Sequence, residues 1–273
     1  MLNAIGGGVD ASVLGKLALG PAQFNGGLHR MAVMVHDTAV KPAAAALTSV
    51  VFTLELARTS VRADGDRALG VRIIGAVLLK CALVMLFASH ARLVLDGIDG
   101  VVAAIVGRVD GVVSDPSGPV GEPLGDRMRP AIEDAGVVGQ SGLMILVLIP
   151  FLIAQVASLA LTVVVWMRFM QVYLLSCFAS LPVVFLACDE TRSMGAGYLR
   201  RYAQAGFQSV TLMVGVALYR GFIADAVRPD GFVDGSNLWQ WTVANFGSLL
   251  LGSVMLVCMV VLSSSASRAV LGG

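Results

Sequence analysis

The chain has 273 residues, of which 57% are hydrophobic and only 14% are charged, and its mean hydropathy is +0.83. A soluble domain carries about 25% charged residues, so this composition excludes an ordinary water-soluble protein and indicates a chain solvated by lipid. The net charge of +1 excludes a globally basic or acidic surface. The positions of the charges along the chain are therefore more informative than their sum.

Residues 1–38 are predicted to form an arm ahead of the first membrane span. Their start, "MLNAIGGGVDASVLGKLALG", has no basic segment before its apolar stretch, which three glycines and Asp10 interrupt. This pattern is not that of a cleaved signal peptide. We expect the arm to stay on the mature protein as a short interfacial helix or a flexible arm, at the interface or outside the cytoplasm.

Six apolar stretches approach the roughly 20 residues that a helix needs to cross a bilayer. They are continuous rather than alternating, which favours helices over the strands of a membrane barrel. The chain is therefore predicted to be an all-α polytopic membrane protein with five or six transmembrane helices and additional amphipathic interfacial helices. The stretches are Val40–Ala57, Val71–Ala91, Leu143–Trp166, Met170–Cys188, Phe207–Ala224 and Trp241–Ser263.

Charged connectors separate these stretches and predict their orientation. Residues 58–72 and 189–206 are rich in arginine, whereas residues 92–142 hold four arginines against eight acidic residues. The positive-inside rule places the first two connectors in the cytoplasm and favours an extracytoplasmic position for 92–142 and for 225–240. Within 92–142, "RLVLDGIDGVVAAIVGRV" predicts an amphipathic helix that lies on the membrane or continues the second span.

This orientation conflicts with the length of residues 143–188, which suits two spans joined at a corner in "WMRFMQ", at Arg168. The charge rule instead requires an odd number of crossings there. We expect one of the two spans to be re-entrant or strongly tilted, which gives five crossings with the N-terminus outside and the C-terminus in the cytoplasm. Six full crossings is the alternative. The predicted regions are an arm (1–38), two spans (39–91), a central acidic loop (92–142) and a C-terminal bundle (143–273).

Three charged residues lie beyond the first turn of an apolar stretch, and a charge costs about 2.5–3.5 kcal/mol at a helix centre. Lys80 lies at mid-span, and it either lines a polar path or is held by a structural ion pair with Glu55 or by a contact between subunits. Glu55 and Arg220 lie within a turn or two of a span end, and we interpret both as interfacial.

Enzymes and small-molecule carriers are poorly supported. The sequence has no GxSxG, P-loop, HExxH or CxxC motif, and its four cysteines lie in or beside apolar runs. It therefore predicts neither catalysis nor a cofactor or metal site. No aspartate lies at mid-span, and no pair of broken helices repeats in two halves, which weighs against an ion-driven transporter.

The stretch "CDETRSMGAGYLRRYAQAGFQSV" is the most polar passage of the second half of the chain. We predict a short amphipathic helix over 189–206, a basic elbow whose start Asp189 or Thr191 caps, although two glycines weaken it. It is either a connector whose arginines contact lipid headgroups or a docking surface for a partner. Its helical face is predicted to comprise Met194, Tyr198 and Tyr202, and its cations are Arg192, Arg200 and Arg201.

Two segments resemble one family of secretion proteins. "LPVVFLACDETRSMGAGYLRRYAQAGFQSVTLMVGVAL" and "VKPAAAALTSVVFTLELARTS" resemble the polytopic inner-membrane subunits, TrbL-type and VirB-type, of type IV secretion (conjugation) systems, in the version carried by Gram-positive conjugative elements. The residues that fit its pattern are Glu190, Thr191, Arg192, Gly195, Tyr198, Leu199, Arg200 and Gln208.

The resemblance implies a non-enzymatic channel or scaffold subunit in the cytoplasmic membrane. Such subunits form homo-oligomers, work with separate ATPases and help to pass transferred DNA with its relaxase, or a protein. On this basis Arg192, Tyr198, Arg200 and Arg201 are docking or substrate-path residues, and 92–142 meets extracytoplasmic partners or neighbouring copies. A small-solute transporter or permease-like subunit is the alternative, and a structural protein such as a holin or immunity partner is a second one.

Small residues favour close contacts between helices of neighbouring copies. Because the chain ends just after its last span, we also expect no fused soluble activity. The small residues concerned are Ala154, Ala157, Ala160, Gly215, Gly247 and Gly252.

Overall fold

The computed structural model describes residues 1–7, 11–62, 67–113, 124–187, 191–227 and 238–270. Helices account for nearly all of these residues and no strand occurs among them, which confirms the all-α prediction. The helices are α1 (Leu2–Gly7), α2 (Ala11–Ala18), α3 (Pro21–Phe24), α4 (Gly26–Val35), α5 (Lys41–Arg62), α6 (Arg67–Ser89), α7 (Ala91–Val113), α8 (Leu124–Arg127), α9 (Arg129–Asp134), α10 (Gly136–Cys177), α11 (Ser180–Val184), α12 (Arg192–Ala226) and α13 (Leu238–Val270).

Four helical segments within the described ranges are long and apolar enough to cross a membrane. A fifth candidate is the pair formed by α6 and α7, which is bent by 61° at its break. The multi-pass architecture is thus confirmed, with four or five candidate spans rather than six. The four segments are Gly26–Ser60, Gly139–Cys177, Arg192–Ala226 and Leu238–Ser263.

The corner predicted at Arg168 is wrong, because α10 is one continuous helix of 42 residues. The sequence around Arg168 contains neither glycine nor proline, so nothing there interrupts the helical hydrogen bonds. The break comes later, between α10 and α11. Pro182 has no N–H, and its ring crowds the carbonyl four residues earlier, at Phe178, so the helix stops before that point.

The first span begins earlier than predicted, because α4 and α5 are joined by a π-helical turn at His36–Val40. Pro42 cannot donate a hydrogen bond to the carbonyl of Thr38, and its ring occupies the space next to that carbonyl. The Lys41 N–H instead reaches the carbonyl of His36, five residues back. The helix therefore widens at the proline and continues.

The amphipathic helix predicted at the start of the central region is confirmed as α7. Its buried side chains recur at helical spacing and form one stripe, whereas Leu93 and Val101 are exposed. Whether α7 lies on a membrane surface stays a prediction. The stripe comprises Ala91, Leu95, Val102 and Val106.

The chain forms two compact units. The first comprises Met1–Leu19, Val102–Arg168 and Phe207–Gly273, and the second comprises Gly20–Val101 and Phe169–Gly206.

In the first unit, α1 is packed against α8 and α13. Ile5 has no exposed surface, and its carbonyl accepts a 2.6 Å hydrogen bond from the hydroxyl of Tyr219. Asn3 donates a further hydrogen bond of 3.2 Å to Asp126. The start of the arm is therefore a docked helix rather than a flexible segment.

Several small residues predicted to mediate contacts between copies are used inside the first unit. A Cβ on Gly215 would lie 2.8 Å from Met259 Sδ, and one on Gly252 would overlap Ile223. Ala154 and Ala157 are fully or almost fully buried. By contrast, nothing lies within 4 Å of a Cβ on Gly247.

We expect Gly252→Val to lower the thermal stability of the protein in detergent, because the added side chain competes with Ile223 for one space. Overpacking of this kind costs about 1–3 kcal/mol. Gly247→Val is the matched control on the same helix, where the new side chain enters open space. Equal unfolding midpoints for the two variants would show that the glycine at 252 is not a packing requirement.

Candidate partner-docking site

The predicted basic elbow belongs to a larger substructure in the second unit. We call it the α11–α12 segment, residues 180–187 and 191–206. Helix α11 packs against both α5 and α6, and Val183 and Val184 are almost completely buried. They join a core cluster whose other buried members are Ala44, Ala88, Ala91, Leu95, Val172, Ala179, Tyr202 and Ala205. The base of the segment is thus fixed by apolar packing.

Side-chain hydroxyls tie the segment to neighbouring helices. Tyr198 donates a hydrogen bond to the carbonyl of Leu175 at the end of α10. Tyr202, with 1% of its surface exposed, donates one of 2.7 Å to Asp99 of α7. These bonds connect the first three turns of α12 to two other helices of the second unit.

The turn between α11 and α12 is closed by Thr191. Its hydroxyl donates a 2.8 Å hydrogen bond to the carbonyl of Phe185. Glu190 and Asp189, the other polar residues of this turn, lie outside the described residues.

The first glycine of the "GAG" sequence has a packing role. A Cβ at Gly195 would lie 2.6 Å from the carbonyl oxygen of Pro182 and 2.8 Å from the side chain of Leu186. Only a residue without a side chain allows α12 to approach α11 this closely. Gly197 differs, since a Cβ there would meet nothing within 4 Å.

The segment is not a separate elbow, because α12 runs without a break from Arg192 through the predicted fifth span. Two glycines among good helix formers do not end a helix. The residues of the predicted face differ in burial, since Met194 is 60% exposed whereas Tyr202 is buried. The guanidinium-bearing residues Arg192, Arg200 and Arg201 are all exposed. A fixed base thus presents three arginines at the start of a membrane-type helix.

The two charges predicted to pair within the spans are brought together. Lys80 Nζ lies 3.8 Å from Glu55 Oε1, with side-chain exposures of 36% and 16%. Such a pair keeps each charge from facing hydrocarbon alone. Its contribution to stability is small, because the distance is long and the lysine is partly exposed. A role of Lys80 in a substrate path stays a prediction.

Arg220 lies half-buried in the first unit, and the carboxylate of Asp110 on α7 acts on it electrostatically. The sequence suggested no partner for it, because 110 positions separate the two residues. Its interfacial position stays a prediction. Over the described ranges, the structure holds no group of three metal-ligating side chains.

A second polar cluster was missed by sequence analysis. His36 Nε2 lies 2.8 Å from the hydroxyl of Ser180, and its Nδ1 lies 3.0 Å from Asp37. A histidine beside an aspartate at the edge of an apolar stretch was the available signal, but its partner lies 144 positions away.

We expect Gly195→Ala to lower the unfolding midpoint, because its Cβ meets a backbone carbonyl that cannot move without displacing α11. The expected cost is about 1–3 kcal/mol. Gly197→Ala, two residues along the same helix, is expected to stabilise it by about 0.5–1 kcal/mol. Thermal midpoints in detergent should rank Gly197→Ala above wild type and wild type above Gly195→Ala. Any rise on Gly195→Ala would contradict the close approach.

Comparison with known proteins agrees with this architecture. The family model described as TrbL/VirB6 plasmid conjugal transfer like protein matches residues 10–180, more than half of the chain. The match ends at the first residue of α11, so the likeness of the α11–α12 segment rests on its own sequence pattern. No curated protein and no solved structure matches the chain. The chain belongs to the TrbL/VirB6 plasmid conjugal transfer-like family.

Proposed function

We propose that the protein is an oligomeric channel or scaffold subunit of a conjugative type IV secretion machine in the cytoplasmic membrane. It helps to pass a DNA–protein substrate that separate ATPases drive. The family match over residues 10–180 carries this proposal, and four or five candidate spans are the architecture that such a subunit needs. The protein contributes surfaces and a membrane scaffold, while the chemistry of transfer lies in its partners.

The surface proposed for docking is the start of α12. Its three arginines are exposed, while Gly195, Tyr198 and Tyr202 hold the helix beneath them. Arginine suits this task, because its planar guanidinium forms paired hydrogen bonds with carboxylates and phosphates. A fixed base also reduces the conformational entropy lost on binding. We assign this surface to an acidic face of the cytoplasmic secretion machinery, with lipid phosphate as the competing ligand.

Oligomerisation is supported by the surface of the candidate spans. In the four unbent candidate spans, between 17% and 39% of the most apolar window is buried within the chain. The remainder faces lipid or other subunits, and α6 alone exposes Leu79, Leu83, Met85 and Leu86 by more than half. Because lipid solvates apolar side chains as well as a protein does, complementary packing has to provide the specificity of subunit contacts.

Deletion of the gene in a donor cell is expected to abolish conjugative transfer, and expression of the gene in trans is expected to restore it. Transfer frequency per donor is the measurement, and solute uptake in the same strains tests the transporter alternative. Unchanged transfer in the deletion strain would refute the assignment to the secretion machine.

Replacing the three arginines together (Arg192→Gln, Arg200→Gln, Arg201→Gln) should lower transfer at least tenfold, because truncating one partner of a hydrogen-bonded charge pair that is buried in an interface costs about 2–5 kcal/mol. Membrane insertion, measured by immunoblot of the membrane fraction, should be unchanged. A control triple variant removes the same charge elsewhere, at the exposed residues Arg30, Arg108 and Arg129. Wild-type transfer by the first triple variant would assign its arginines to lipid headgroups.

A further inference from the structure

The cluster around His36 joins three elements of the second unit. The imidazole lies in the π-helical turn of the first span with 2% of the residue exposed, and its Nε2 is 2.8 Å from Ser180 Oγ. Ser180, on α11, is 1% exposed, and its hydroxyl donates a 2.9 Å hydrogen bond to the carbonyl of Ala88 in the last turn of α6. One hydroxyl therefore connects α11 to the first span and to the end of α6.

The hydrogen atoms available for the hydrogen bonds around His36 can be counted. Ser180 has a single O–H, and it is used on Ala88, so Ser180 must accept from His36 Nε2–H. The other ring nitrogen, Nδ1, lies 3.0 Å from Asp37 Oδ1, and a carboxylate only accepts. With Asp37 ionised, all three hydrogen bonds are formed together only when both ring nitrogens carry hydrogen, that is, when His36 is an imidazolium.

Each neutral tautomer of the His36 ring loses one of these three hydrogen bonds. With hydrogen on Nε2 alone, the lone pair of Nδ1 faces the carboxylate of Asp37. With hydrogen on Nδ1 alone, Nε2 needs the hydroxyl hydrogen of Ser180, and the carbonyl of Ala88 loses its donor. An unsatisfied polar group that is buried is costly, so loss of the proton weakens the attachment of α11.

The charges around the cluster act through Asp37. The cations of Lys41, on α5, and Arg92, on α7, both attract its carboxylate. Both cations also repel a positive charge on His36. The carboxylate of Asp37 is the nearer charge, because it lies in direct contact with the ring, 3.0 Å from Nδ1. Helix α11 carries no titratable side chain, and α6 contributes the Ala88 carbonyl.

We propose that His36 is a proton-dependent latch, a positioning residue that holds α11 against the first span and α6 most firmly when its imidazole is protonated. Histidine is the side chain whose charge ordinarily changes near neutral pH. Protonation of His36 therefore tightens the latch, and loss of the proton loosens it. Since α11 supports the start of α12, the latch also controls how firmly the three arginines are held. Only this last consequence rests on the proposed function.

The test is hydrogen–deuterium exchange of the full-length protein in lipid nanodiscs at pH 5.5 and pH 8.0, corrected for intrinsic exchange. We expect α11 and the first turns of α12 to be about tenfold less protected at pH 8.0, the effect of losing one charge-assisted hydrogen bond. Nitrogen-15 NMR of the histidine rings reports the protonation state of His36 at each pH, and loss of the proton should accompany the loss of protection. The chain has three histidines, so the signal absent from a His36→Gln sample identifies it.

Variants separate the latch from mere packing. The amide of His36→Gln donates to Ser180 but does not titrate, so protection should become independent of pH. Ser180→Ala should remove protection at both pH values. His90→Gln is the control, since His90 is exposed and bonds only locally, to Ser89 and Leu86, and it should keep the wild-type pH profile.

Three results would overturn the latch. These are a His36 ring that titrates while protection of α11 stays constant, a ring that stays neutral from pH 5.5 to 8.0, and a His36→Gln variant that keeps the wild-type pH profile. The first two are measured on the wild-type chain, so they hold even if a variant fails to fold. None of these readouts uses conjugation, so failure of the latch and failure of the proposed function are distinguishable.

Discussion

The structure depends on one constraint, which is that every backbone carbonyl and N–H within a lipid-embedded protein needs a partner inside the protein. The last turn of a helix leaves carbonyls without intrahelical donors. In this chain, hydroxyl groups supply several of the missing donors. Tyr219 serves the end of α1, Tyr198 the end of α10 and Ser180 the end of α6. The interruptions of the helices are therefore tied to the bundle, and tertiary structure follows from where the helices end.

Prolines decide where the helices widen or end in the second unit. At Pro42 the helix widens into a π turn, which places His36 against Ser180. Ahead of Pro182, α10 ends at Cys177, and the short α11 that contains this proline packs against α5 and α6. The cluster around His36 exists because one proline distorts the first span and another interrupts the segment after α10.

The fold class and the approximate positions of the spans could be predicted from apolar runs alone. The corner at Arg168 could not, because a single charge in a run of helix formers was interpreted as a boundary, although it does not interrupt the backbone. The break between α10 and α11 had a visible signal in the sequence, which is Pro182. The prediction of a separate short helix at 189–206 was wrong for a related reason. Its two glycines were interpreted as weakening the helix, whereas α12 continues through them.

The sequence showed which charged residues the candidate site contains, but not which contacts hold the start of α12 in place. Exposed arginines at the start of α12 follow from composition. The requirement for glycine at 195 depends on the carbonyl of Pro182, and that contact exists only in three dimensions. The bond between His36 and Ser180 joins residues 144 positions apart, which no local pattern reports.

The charges within the spans bear on how a substrate could cross the membrane. In the second unit, Lys80 lies beside Glu55. In the first unit, Arg220 interacts electrostatically with Asp110. A lysine that already lies beside a carboxylate is poorly suited to line a wide aqueous path, because a passing polyanion would have to displace that carboxylate. On the proposed function, we therefore expect a path for DNA to use surfaces that several copies or other subunits contribute. On the same proposal, the exposed arginines of α12, rather than these paired charges, are the residues expected to meet the machinery or the substrate.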